Sequence, residues 1–173
     1  MKNTDTKEKI TELLFDFPLR TSHIREISRI LNISAPSISK AIKQLQKDNM
    51  VILNKRVIYE VKANIENPKF KQMKIVYNLG KIYSSGLFDY LYDNFYLSTI
   101  VLFGSYSKGE DTERSDIDIA IIGSNEKQIK IEDYEKKLNR RINIDFIDFS
   151  KLKIELKESI INGIVLSGYI RLK

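Results

Sequence analysis

Apolar positions in the first fifty residues recur with helical spacing. Ile10, Leu13, Leu14 and Phe17 fall at i, i+3, i+4 and i+7, and Pro18 ends that segment. A second helix is predicted with Ile24, Ile27 and Leu31 inward, capped by Thr21 or Ser22 and closed by Asn32. A third begins at Ser34, tolerates Pro36 in its first turn and buries Ile38, Ala41, Ile42 and Leu45. Ile33 and Ile38 suit a hydrophobic staple at its start. After Asn49 the period shortens to two. Val51-Ile52-Leu53 and residues 57–61 read as the strands of a hairpin with Asn54-Lys55-Arg56 at its tip.

Asn67-Pro68 interrupts the pattern. Phe70, Met73, Val76, Tyr77, Leu79 and Ile82 then predict a helix ending near Gly86, and Leu87, Leu91 and Phe95 a shorter one. Tyr77, Tyr83, Tyr90, Tyr92 and Tyr96 make this stretch aromatic. They suit packing between modules or at a homodimer seam, and the other use is stacking on a nucleobase. Residues 98–103 read as a buried strand, 117–122 as a second, 132–141 as a charged helix and 142–149 as a third strand. Residues 150–168 read as a helical tail carrying Ile160, Ile161, Ile164, Val165 and Leu166. The whole predicts two domains of mixed α/β and α+β class, the second with a small mixed β-sheet flanked by helices. The boundaries are 1–66, a helical linker over 67–96, and 97–173.

Composition narrows the function. The chain has 173 residues and no cysteine, which excludes disulfides, zinc–thiolate sites and a thiol nucleophile. No leading apolar stretch resembles a signal peptide and no run approaches about 20 apolar residues, so a cytoplasmic protein without a membrane span is expected. Net charge is +6, of which residues 1–67 carry +4. That lean suits a polyanionic partner at the N-terminal end. His23 is the only histidine. It is expected near the start of the second helix with no chemical role, so any general base has to be a carboxylate.

The densest chemistry lies in Gly104-Ser105-Tyr106-Ser107-Lys108-Gly109, followed six residues later by Ser115-Asp116-Ile117-Asp118. A strand sends alternate side chains to one face, so Asp116 and Asp118 project together, roughly 7 Å apart at their Cα atoms. Their repulsion is about 2 kcal/mol at an effective dielectric near 20. A divalent cation with hard oxygen ligands, magnesium above all, is the economical compensation. In the third strand Asn143, Asp145 and Ile147 share a face, and only Asp145 suits the pair; Asp148 suits a strand end or a helix cap. The Gly104-Ser105 turn offers consecutive N–H groups and a hydroxyl to phosphate oxygens, and a glycine leaves no Cβ in the way. Read without chemistry, the turn is an ordinary strand-to-helix connection and the carboxylates a calcium-binding or solvated cluster.

These residues carry a resemblance. GSYSKGEDTERSDIDIAII, with the later Asp145, resembles the signature of the nucleotidyltransferase superfamily related to DNA polymerase beta, in its minimal form, over roughly residues 97–168. The resemblance implies two magnesium ions held by Asp116, Asp118 and Asp145, with a nucleoside triphosphate as substrate. It assigns nucleotide contacts to Gly104, Ser105, Lys108 and Ser115, and Arg114 is an alternative to Lys108 for charge on the leaving group. Related proteins often carry arginine at the position of Lys108, and a lysine is a point charge rather than a fork. The resemblance further implies AMP transfer from ATP to a protein or RNA acceptor, a small helical partner of HEPN type, and an antitoxin role in a toxin–antitoxin pair.

The N-terminal segment SHIREISRILNISAPSISKAIKQLQKDNMV resembles the winged helix-turn-helix of bacterial and archaeal repressors. That resemblance implies DNA contacts from Ser37, Ser39, Lys40 and Lys43 on the third helix and from Lys55 and Arg56 on the hairpin. The front of that helix has no Asn or Arg for a bidentate base contact. A module for protein contacts or dimerisation is the other reading. The two domains together leave a second functional class open: a transcriptional regulator whose transferase domain binds nucleotide or partner without turnover.

Overall fold

A computed structural model describes residues 2–55, 59–149 and 151–171. The chain divides into two compact units, residues 1–74 and 75–173. The first opens with helix α1 (Lys2–Asp16), which buries Ile10, Leu14 and Phe15. Strand β1 (Ser22–His23) precedes helix α2 (Ile24–Leu31), and helix α3 (Ala35–Lys47) follows. Ile27 of α2 and the stripe Ile38, Ala41, Ile42 and Leu45 of α3 are buried, as the apolar spacing predicts. Strands β2 (Val51–Lys55) and β3 (Tyr59–Ala63) pair antiparallel from Val51 opposite Ala63 to Lys55 opposite Tyr59. β1 pairs with the other edge of β3, giving the sheet order β1-β3-β2.

Two local details differ from expectation. Ser22 lies in β1, opposite Val61, and the residue at the N-cap of α2 is His23. The His23 N–H donates to Glu26 Oε2 at 3.3 Å, and Glu26 also pairs with Arg20 at 2.6 Å. The glutamate thus satisfies an orphan donor of the first turn that neither Thr21 nor Ser22 reaches. A two-residue polar strand has no periodicity to betray it. Asn32 does close α2, in the left-handed region at φ 52°. Beyond α3 the Asn49 carbonyl, at a second left-handed asparagine, accepts from the side-chain amides of Asn64 and Asn67 at 2.9 and 2.8 Å. Those bonds tie the start of the hairpin to its exit.

Helix α4 (Pro68–Ser85) starts with proline where a missing N–H costs nothing, and Asn67 Oδ1 accepts from the Lys69 N–H at 3.0 Å. The second unit runs from Ile75 through helix α5 (Leu87–Asn94), strand β4 (Thr99–Phe103), helix α6 (Gly104–Lys108) and strand β5 (Ile117–Ile122). Helix α7 (Glu132–Leu138), strand β6 (Ile142–Ile147), helix α8 (Ile154–Ile161) and strand β7 (Ile164–Ser167) complete it. The sheet order is β6-β5-β4-β7; β4 is antiparallel to β5 and β7, and β5 is parallel to β6. The parallel pair requires a long crossover, which α7 and its flanking loops provide.

Both faces of this mixed sheet are covered. Ile100, Leu102, Ile117, Ile119, Ile121 and Ile142 pack with Ile82 of α4, Leu87 and Leu91 of α5 and Phe95 at its end on one face. Val101, Phe103, Ala120 and Ile147 pack with Ile160 of α8 on the other. The strands therefore read as near-continuous apolar runs, and the face that carries Asp118 also holds a small core.

The helical tail expected over residues 150–168 is corrected. α8 stops at Ile161, and residues 164–167 form a fourth strand on the free edge of β4. Gly163 makes the change possible. A Cβ there would fall 2.5 Å from the Leu102 carbonyl oxygen, so only glycine lets the chain turn this close to β4. The β-branched Ile164 and Val165 then favour the strand. Among the described residues no helix is long and apolar enough to cross a membrane.

Candidate functional site

The site is assembled at one end of β4, β5 and β6. Antiparallel register sets Phe103, the last residue of β4, opposite Asp118. Gly104 follows at φ 72°, in the left-handed region. A Cβ on Gly104 would fall 2.4 Å from Asp118 Oδ2. The glycine therefore serves two ends, a positive φ and a close approach, and what approaches is the carboxylate itself. The Ser107 hydroxyl donates to the Gly104 carbonyl at 2.8 Å, and Gly109, at φ 67°, ends the short helix. Ser105 is half-buried at the head of α6, and its hydroxyl has no hydrogen-bond partner among the described residues. Lys108 is exposed in the last turn of α6, and Arg114 is exposed in the loop beyond it. The Ser115 hydroxyl accepts from the Thr112 N–H at 2.9 Å, which closes the turn that delivers Asp116.

Asp116 and Asp118 are both half-buried. The parallel register places Asn143 opposite Asp118, and Asp145 opposite Ala120. Asp145 thus shares the face of Asp118 but lies one same-face step further along β6. The Asn143 side-chain amide donates to Asp118 Oδ1 at 2.9 Å and to Asp116 Oδ2 at 3.3 Å. Partial desolvation, and after it the negative charge of Asp118, raise the Asp145 carboxyl above the usual aspartate value. Asp145 and Asp118 are therefore electrostatic neighbours. Among the described residues no set of three or more His, Cys, Asp and Glu converges as a ready cation cage. Asp148 stands past the end of β6 and pairs with Lys151 at 3.0 Å.

A second group of side chains, which the sequence pattern leaves unannounced, holds the loop between α6 and β5. Asp111 is 2% exposed. It accepts from Asn78 Nδ2 at 2.8 Å and lies 3.7 Å from the Arg140 guanidinium. Asn78 also donates to the Tyr106 carbonyl at 2.9 Å, and Arg140 donates to the Thr112 carbonyl. Tyr106 belongs to α6, and Thr112 to the turn ahead of Asp116. One buried aspartate, shared between α4 and Arg140 two residues past α7, therefore fixes both sides of the site. An aspartate set between Glu110 and Glu113 in a loop of mixed charges gives no sequence signal of burial; its partners Asn78 and Arg140, 33 and 29 positions away, reveal it.

The glycine turn, the paired carboxylates separated by Ile117 and a further carboxylate on the parallel neighbour lie at one end of the sheet. Residues 86–169 match the family model described as Polymerase beta, Nucleotidyltransferase. This match supports the nucleotidyltransferase superfamily for that segment, which contains Gly104, Ser105, Asp116, Asp118 and Asp145. No curated protein and no solved structure matches the chain. In the matched segment the donor set suits a divalent cation: the oxygens are hard, two carboxylates are bridged by one amide, and the Cα of Gly104 approaches Asp118 where any side chain would collide.

In the first unit, Ser37 and Ser39 are half-buried on α3, and Lys40 and Lys43 are exposed. The Ser37 hydroxyl meets that of Ser34, at the helix N-cap, at 2.9 Å. Lys55 ends β2, and Arg56 lies outside the described residues. A groove beside α3 is lined by Arg25, Arg29, Ser39 and Tyr59, and the two arginines add basic groups that the spacing of α2 did not single out.

Proposed function

We propose that the second unit is a metal-dependent nucleotidyltransferase that moves AMP from ATP to a hydroxyl of a protein or RNA acceptor. The observation that carries this reading is the close approach of Gly104 to the Asp118 carboxylate, with Asp116 and Asp145 on the same strand pair, inside the segment that matches the family. Asp116 and Asp118 are the residues that would hold divalent ions, with Asp145 completing the set. Such ions, when bound, screen the phosphate charge and lower the proton affinity of the attacking oxygen. Asp145, an exposed side chain whose partial desolvation and neighbour Asp118 raise its proton affinity, accepts the acceptor hydroxyl proton. The acceptor oxygen forms a bond to the α-phosphorus as the bond from that phosphorus to the bridging oxygen breaks, and pyrophosphate leaves. Ser105 and the turn amides bind the leaving phosphates; Lys108 supplies a point charge to them.

The test is transfer of label from each of the four nucleoside triphosphates with magnesium present. Asp116→Asn should lower transfer at least about 100-fold while leaving the melting temperature within a degree or two. Wild-type protein that binds nucleotide yet labels no protein or RNA acceptor would refute the enzymatic reading.

The first unit supports a second element of the proposal. Its order of helices and strands, with an antiparallel hairpin after α3 and exposed Lys40 and Lys43, suits a winged helix that binds DNA. In that reading the chain regulates its own promoter, and a helical HEPN-type partner is the acceptor that it modifies as an antitoxin. A regulator that binds nucleotide without turnover differs in one result: Asp116→Asn would leave repression and partner neutralisation intact.

A further inference from the structure

We infer that Asn143 is an amide clamp that occupies the cation's place between Asp116 and Asp118 and sets how tightly a divalent ion binds there. The inference rests on the reading of those aspartates as cation ligands and goes beyond it to a residue with no charge. Its basis is a single nitrogen that reaches both carboxylates, at 2.9 Å to Asp118 Oδ1 and 3.3 Å to Asp116 Oδ2. Only the N–H side of the amide can face two carboxylates, because the oxygen side has nothing to donate. A hydrogen-bonding hydrogen sits about 2 Å from its acceptor. A magnesium ion also sits about 2.1 Å from a ligand oxygen. The two amide hydrogens and a bridging cation therefore compete for the same lone pairs.

The placement is dictated by the fold. Asn143 is the cross-strand partner of Asp118 in a parallel pair, and it projects on the same face. It is exposed, so its side chain can rotate into solvent when an ion arrives. Without an ion, the clamp relieves the repulsion between two half-buried carboxylates. With an ion, both hydrogen bonds are lost. Affinity is thus the difference between the ion's interaction and the clamp's, and residue 143 tunes it without touching the ion. An asparagine is a mild competitor. A lysine in its place would bring a full charge to the same oxygens.

The experiment is Mn2+ binding to the full chain, read by loss of the free-ion paramagnetic resonance signal, together with melting curves with and without Mn2+. Asn143→Ala should bind Mn2+ at least about tenfold more tightly, as expected when two hydrogen bonds to charged groups no longer compete. Its melting temperature should fall without metal and match wild type at saturating Mn2+. Asn143→Lys should bind Mn2+ at least about tenfold more weakly. An alanine variant that binds Mn2+ equally or more weakly than wild type overturns the clamp. So does one that melts lower with and without metal alike, which marks a packing role. Asp118→Asn separates the two claims: if wild type takes up no Mn2+ that this change removes, the cation site itself has failed and the clamp falls with it.

Discussion

Gly104 and Asp145 show how much of the site turns on single atoms. Gly104→Ala would drive a methyl to 2.4 Å from Asp118 Oδ2 and hold an alanine at φ 72°. Backbone strain and the displaced carboxylate together should cost about 1–3 kcal/mol and remove most activity. Melting curves and nucleotide transfer check the two parts separately. Asp145 gives a pH-dependent expectation. Its carboxyl is raised by desolvation and then by Asp118, so the folded chain holds that proton more tightly than the unfolded chain does. The stabilisation from this group is present at acid pH, below the unfolded value, and is lost as pH rises through the folded value. Asp145→Asn removes an ionised group from that position. At neutral pH and without metal it should therefore melt at a higher temperature than wild type, and the gain should shrink as pH falls below the raised value. A gain that persists unchanged at acid pH would mean that ionisation is not its source.

The elements that the sequence makes legible are those with one periodicity and one core. The stripe Ile38, Ala41, Ile42, Leu45 announces α3, and the apolar run from Ile117 to Ile122 announces β5, because burial alone decides where those side chains go. Residues 164–167 are different. Ile164, Val165 and Leu166 are apolar in a way that suits helix or strand, and the choice is made by the open edge of β4 and by the space at Gly163, neither of which is local. Ser22-His23 is illegible for the same reason, since its partners Val61 and Glu60 lie on a strand far along the sequence. The site follows the same division. Its carboxylates and glycine are adjacent enough to be read as a pattern, whereas the register that gives Asn143 to Asp118 and the anchor at Asp111 depend on α4, α7 and β6 meeting. Asp111→Ala would leave Arg140, which is 9% exposed, without its buried counter-charge. Such a loss typically costs about 3–5 kcal/mol. Chemical denaturation should show that fall, and transfer in the fraction still folded should drop too, because the turn that delivers Asp116 is released. Activity retained per folded molecule would assign Asp111 to stability alone.

The chain divides into two compact units, each with its own buried residues, so the proposed DNA contacts and the proposed nucleotide transfer have separate determinants. The basic excess lies mainly in residues 1–67, and the paired carboxylates lie in the second unit. If α3 presents Lys40 and Lys43 to phosphates, each contact contributes about 0.9 to the slope of log affinity against log salt. Lys40→Ala with Lys43→Ala should then weaken binding to all duplexes alike and flatten that slope by nearly two units, because lysine–phosphate contacts carry no sequence information. The same double variant should transfer nucleotide at the wild-type rate, and Asp118→Asn should reverse the outcome, with transfer lost and the salt slope unchanged. Mobility shifts across a salt series, run beside labelled transfer on the same preparations, measure both columns of this cross. A double lysine variant with an unaltered slope would place the DNA contacts elsewhere, with Arg25 and Arg29 in the groove beside α3 as the next groups to change. Loss of transfer in that variant would instead mean that polyanion binding and nucleotide chemistry share a substrate, as expected of an RNA acceptor.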